Sequence, residues 1–276
     1  MRISQTVTIV SCCAGLLLSL RTPSLLSQST EAKVTYSLRY SQIDATEPVV
    51  LKLELTNVTN ESLEMNLGWR DQIYFTATGS SGRMEIHEPP PNTFDQVGRF
   101  GKVVIAPKGT YTQSIVLSQW ASFDRPGDYT LEIHLRGPLG LQNLSSLQVQ
   151  SEAVRLSVVT NAAPLVQRHC VEEWNRLQNA QNGGEAMDVT LFLGNVSSPL
   201  AVPFMSAALD TEHSVAIGGI LITGLERIGD LNAVHALVQA LNSRAKQNSQ
   251  IAHDALARIA LANNVSPEVA KEARLA

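Results

Sequence analysis

The residues able to act in catalysis or metal binding are few and scattered along this chain. Six histidines stand at His87, His134, His169, His213, His235 and His253, and three cysteines at Cys12, Cys13 and Cys170. A zinc site needs ligands at a compatible spacing, and a nucleophile needs a base beside it. His253-Asp254 and His87-Glu88 are sequence neighbours whose side chains point in different directions, and no nucleophile can be assigned to either pair. His213, His235 and His253 fall on helical segments whose offset could bring them to neighbouring turns, but they read as solvent-facing. Glu172 and Glu173 are flanked by Arg168 and Arg176, the spacing of a charge-paired, solvated helix face. No G-x-S-x-G, G-x-x-x-x-G-K or H-E-x-x-H pattern occurs. These observations predict a protein that is not an enzyme, has no metal site and needs no cofactor.

One segment instead has the residue types of a binding surface. Glu88 to Gly101 is long for a connection between strands and is stiffened by Pro89, Pro90 and Pro91. It carries Phe94, Arg99 and Phe100, the aromatic and arginine types enriched at interaction hot spots, and these are the predicted binding residues. The alternative is that Phe94 and Phe100 fold back to close the end of the sheet structure.

The elements that must position these residues change character once along the chain. Apolar residues alternate at Val34, Tyr36, Leu38 and Tyr40 and again at Val49, Leu51, Leu53 and Leu55, the period of half-buried strands. Further strands are expected at Leu63 to Leu67, around Phe75 and Ile86 on either side of Gly79-Ser80-Ser81-Gly82, and at Val103 to Ile105. The last three fall at Tyr111 to Leu117, Tyr129 to Leu135 and Val154 to Val158, separated by turns such as Pro107-Lys108-Gly109. Beyond Thr160 the period becomes helical: Val166, Cys170, Trp174 and Leu177 share one stripe. Ser198-Pro199 and Ser266-Pro267 are helix starts, a capping serine followed by a proline whose missing N–H costs nothing there. The stretch Ala201 to Asp210 returns as Ala233 to Asn242, an offset of roughly 32 residues that belongs to stacked helical units. The fold class predicted is therefore multidomain, β then α: an antiparallel β-sandwich over residues 30–160 and an α-helical solenoid over residues 161–276.

The bulk properties set outer limits. With 276 residues the chain has room for two cores, and at 44% hydrophobic and 17% charged it has an ordinary globular composition. A net charge of -4 argues against nucleic acid as a partner, because a surface that tracks phosphates needs clustered Lys and Arg. Arg2 precedes an apolar run from Val7 to Leu20, shorter than a membrane span, so residues 1–29 read as a cleaved signal peptide. The protein is then expected to be exported to the periplasm or the extracellular space, with a membrane-inserted N-terminus only if the leader stays uncleaved. Removing the leader leaves Cys170 alone at an apolar helical position, a buried and unreactive thiol.

Two resemblances refine this. Asp124-Arg125-Pro126-Gly127-Asp128-Tyr129 resembles the immunoglobulin-type corner, in which a tyrosine returns its hydroxyl to the preceding turn, although Leu131 stands where antibody domains carry cysteine. In the second half Leu225-Glu226-Arg227-Ile228 matches Leu256-Ala257-Arg258-Ile259, and Ile228-Gly229-Asp230 links the pairs, which resembles the short bacterial HEAT-like repeat. Gly218, Gly219 and Gly224 inside one helix depart from that pattern and mark either a close helix approach or a break. Two scaffold-type units without an active constellation predict a noncatalytic exported scaffold that binds another protein or a cell-envelope component. The first alternative is a proteinase-inhibitor-like module, on the likeness of the sandwich to the bacterial intracellular inhibitor domain. The second is a bilin-lyase-like protein, since some HEAT-like arrays resemble the lyases that attach this pigment to a partner.

Overall fold

A computed structural model of the chain describes residues 31–67, 72–87, 101–141, 147–149, 153–211, 214–242 and 246–276. The predicted leader 1–29 and the predicted binding residues Phe94, Arg99 and Phe100 lie outside the described residues, as does His213. Strands fill the N-terminal part and seven α-helices the C-terminal part, so the change of period near Thr160 is a real change of structure.

The strands are β1 (Ala32–Leu38), β2 (Gln42–Asp44), β3 (Val50–Asn57), β4 (Leu63–Asn66), β5 (Ile73–Gly79), β6 (Gly82–His87), β7 (Lys102–Ile105), β8 (Thr110–Val116), β9 (Gly127–Leu135), β10 (Leu147–Val149) and β11 (Val154–Val159). They form a four-stranded sheet β10-β1-β3-β8, a five-stranded sheet β2-β11-β9-β5-β6 and a ribbon β4-β7. Pairing is antiparallel except for β1 with β10 and β2 with β11. The chain passes from one sheet to the other between Leu38 and Gln42, so β1 and β2 belong to different layers. Alternation decides the layers: Leu51, Leu53 and Leu55 of β3 join Phe75, Ile86, Leu131 and Leu156 of the other sheet in one buried cluster. The predicted corner has the expected bond, with Tyr129 Oη donating to the Arg125 carbonyl at 2.9 Å.

The helices are α1 (Ala163–Gln178), α2 (Gly183–Leu193), α3 (Val202–Thr211), α4 (Val215–Ile228), α5 (Leu231–Ala240), α6 (Lys246–Leu261) and α7 (Pro267–Leu275). They pack in two rows: α3 touches α1 and α5, and α5 touches α7, while α4 touches α2 and α6. The duplicated segment therefore occupies equivalent places in one row, as α3 and α5. Gly183-Gly184 opens α2, where the Asn182 side chain accepts from Glu185 N and caps the helix. Among the described residues no helix is long and apolar enough to cross a membrane.

The glycines of α4 mark a close approach and not a break, since the helix runs through them without interruption. A Cβ on Gly224 would lie 2.7 Å from the Gly194 carbonyl oxygen and 3.0 Å from its Cα, so α4 meets the end of α2 backbone against backbone. A Cβ on Gly219 would find only the Ile251 Cδ1 at 3.7 Å, ordinary contact. Gly224→Ala is therefore expected to lower unfolding free energy by roughly 1–3 kcal/mol through overpacking. Gly219→Ala is expected to raise it by up to about 1 kcal/mol through helix propensity. Urea denaturation of the two variants beside the parent checks both signs.

Candidate functional site

The largest concentration of buried polar groups lies where the four-stranded sheet meets the first two helices. Val50 and Val116 are neighbours in register on β3 and β8, and both turn away from the sheet interior into the helical core. The next outward position on β8 is Ser114, whose hydroxyl donates to Asp188 on α2. Arg39, at the bend between β1 and β2, enters the same space. Its Nε and Nη2 each donate to Glu173 of α1 at 2.7 Å, and its Nη1 donates to Asp188 Oδ2 at 2.8 Å. Glu173 also accepts from Tyr40 Oη at 2.7 Å and from Arg176 Nη1 at 3.1 Å. Desolvation works against the Arg39 charge, but the two carboxylates outweigh it and its pKa is raised. Burial, followed by the Glu173 charge, raises the Tyr40 phenol, which stays a donor.

A second pairing runs beside the first. Glu47 Oε1 lies 2.8 Å from His169 Nδ1, both side chains almost wholly buried, and Glu47 Oε2 accepts from Asp44 N at 2.7 Å. The His169 ring stacks on Tyr40 with centroids 3.7 Å apart. Asp44 in turn accepts from Thr46 N and Oγ1 and, through Oδ2, from Ala162 N at the start of α1. Burial opposes the Asp44 charge, yet these hydrogen bonds overcome it and hold its pKa below the usual value. The adjoining cleft, of about 470 Å³, is lined by Asp44, Thr46, Asn161, Ala162, Ser198 and Leu200 among others, with a carboxylate and no cation.

Glu173 thus corrects the expectation of a solvated carboxylate pair: Glu172 faces outward toward Arg168, while Glu173 is fully buried. The signal was present in the stripe Val166, Cys170, Trp174 and Leu177, because His169 and Glu173 fall on that same face. Cys170 is buried, and desolvation followed by Glu47 and Glu173 pushes its thiol up to about 12, so it is not a nucleophile. The remaining described histidines are dispersed. His87 and His134 stack on opposite neighbouring strands against Tyr74, with Arg136 over its ring, and His235 and His253 lie at the surface beside Glu272 and Asp254. Among the described residues no group of three or more His, Cys, Asp or Glu could hold a metal ion.

No protein-family profile matches the chain. It is 40% identical over 67 residues to the bilin biosynthesis protein PecE of Mastigocladus laminosus, a stretch covering 24% of this chain and 25% of that protein. The chain therefore spans about a quarter of that relative's length. The match is consistent with a HEAT-like helical region. It overturns the expectation of a noncatalytic binding scaffold, because the relative it identifies is a bilin biosynthesis protein. Solved structures with some likeness include a mutant β-glucosidase from Listeria innocua (10% identity, 48% of this chain, 16% of that one, TM-score 0.27). Others are the sporulation control protein Spo0M of Bacillus subtilis (11%, 53% and 56%, 0.28) and the DNA glycosylase AlkC of Pseudomonas fluorescens (10%, 48% and 31%, 0.25). At these TM-scores the likenesses support no conclusion.

Glu173→Ala would leave the Arg39 guanidinium buried beside a single, shared carboxylate. A loss of roughly 3–5 kcal/mol in unfolding free energy is expected by chemical denaturation. Asp44 supplies a pH dependence with a defined sign. Its folded pKa is depressed, so its contribution is complete above the ordinary carboxylate value and is lost as pH falls through the folded value. Urea midpoints measured from about pH 6 to about pH 3 should fall less steeply in Asp44→Asn than in the parent.

Proposed function

We propose that this chain handles an open-chain tetrapyrrole, in the manner of the bilin lyases. Residues 161–276 would serve as a HEAT-like solenoid and residues 30–160 as an immunoglobulin-like sandwich capping its first pair of helices. The observation that carries the reading is the 67-residue stretch shared with a bilin biosynthesis protein. The two-row packing of helices and the repeat offset between α3 and α5 support the HEAT-like part. Tyr129 and its bond to the Arg125 carbonyl support the sandwich part.

Cys170 narrows the role. A thiol buried and raised to about 12 does not form a covalent bond to a pigment, so Cys170 is no attachment point. The bilin is bound reversibly here and passes to an acceptor protein that supplies the reactive thiol. The cleft beside Asp44 is unsuited to a ligand with two propionate groups, because its lining contains a carboxylate and no cation. The outer face of the helical rows, which carries arginines, suits such a ligand better.

Titrating the full chain with biliverdin is expected to red-shift and sharpen the long-wavelength absorption band, with a dissociation constant on the order of 1 μM or tighter. A spectrum identical to that of free biliverdin across the titration would overturn the proposal.

A further inference from the structure

Equivalent positions of the helical repeat carry an arginine, and the two arginines are satisfied differently. Arg258 on α6 reaches back to the preceding helix of its row and grips Glu226 of α4, Nε to Oε1 at 2.6 Å and Nη2 to Oε2 at 2.9 Å. Arg227 on α4 reaches back in the same way to the end of α2. What it meets there is a backbone carbonyl, that of Gly194, accepting from Nη1 at 3.2 Å. No carboxylate of α2 takes the place that Glu226 takes for Arg258, and the polar side chain at that end, Asn195, is bonded to Leu191 and Gln119. One half of the Arg227 fork is therefore held by the negative end of a helix, and the neighbouring carboxylate, Glu226, is engaged by Arg258.

The surroundings explain why this cation is held in place and what it faces. The contact of Gly224 with the Gly194 backbone brings α4 against the end of α2 and fixes the base of the Arg227 side chain. Thr223 and Ile220 lie one and two turns before Arg227 on the same side of α4, and Ile220 packs at Gly194. Ile220, Leu191 of α2 and Ile251 of α6 are each only partly buried. Arg227 is exposed at the surface, yet desolvation by its neighbours lowers its pKa, with the adjacent Glu226 charge opposing the effect. A monoanion that replaced water there would meet an oriented guanidinium with free donors, next to apolar side chains.

We infer that Arg227 binds a propionate carboxylate of the tetrapyrrole, whose ring system lies along the partly exposed apolar side chains of α2, α4 and α6. This rests on the reading of the chain as a bilin-handling protein and adds the residue and the ligand group to it. A charge-assisted, forked contact of this kind contributes about 1.5–3 kcal/mol, which is roughly tenfold or more in affinity.

The test uses the full chain, the variants Arg227→Gln and Arg227→Lys, and two probes: biliverdin and biliverdin dimethyl ester, in which both propionates are esterified. Absorption titrations read the affinity of each pair, and thermal melts are recorded in parallel. The expected result is that Arg227→Gln weakens biliverdin roughly tenfold or more and leaves the ester unchanged, while Arg227→Lys recovers part of the loss. Equal affinity of parent and Arg227→Gln for biliverdin would overturn the inference and leave the tetrapyrrole reading standing. Equal weakening of both probes would assign Arg227 a purely structural role at the end of α2 and overturn the inference too. Failure of the parent chain to bind either probe would overturn the tetrapyrrole reading and this inference with it.

Discussion

Arg39 is held inside the molecule by two carboxylates that arrive on two different helices, and the junction of the strand and helical halves depends on that arrangement. An arginine side chain that is 8% exposed is tolerable only when its charge and its donors are matched. Glu173 matches two of its N–H groups side by side, and Asp188 takes the third while also accepting from Ser114 of the sheet. The geometry therefore sets α1, α2, β3 and β8 relative to one another at once. A rotation of either helix would strand a buried charge, a cost that apolar contacts alone would not impose.

The Glu47–His169 pair and Asp44 extend this constraint to the other end of α1. Asp44 binds the backbone N–H just before the helix, and Glu47 binds a side chain within the second turn. Val50 and Val116 supply the apolar part of the same contact by facing the helices from the outer side of their sheet. The first pair of helices is thus covered by the sheet on that side.

Within the array, glycine and arginine do complementary jobs. Gly224 removes the side chain that would separate α4 from α2, and the close approach lets Arg227 reach the last carbonyls of α2. At the next repeat Ala255 stands in the place of Gly224, and Arg258 finds the carboxylate of Glu226 instead. Equivalent places thereby hold one arginine paired with a carboxylate and one bonded to a backbone carbonyl.

Much of the fold was legible in the residues taken in order. Alternation located nine of the strands, and Ser198-Pro199, Ser266-Pro267 and Gly229-Asp230 marked helix boundaries, because these signals arise from interactions within a few residues of chain. The short strands β2 and β10 were not legible, since each is defined by a parallel partner far away in sequence. The polar junction was half legible: His169 and Glu173 lie on the apolar stripe of α1, but their partners Glu47 and Arg39 are 122 and 134 residues distant. By itself the sequence determined the order of elements, the change of period near Thr160, the repeat and the burial of Cys170 on an apolar helix face. Only the tertiary structure decided which charges are buried together and which glycine is a contact, because those depend on segments brought together by packing.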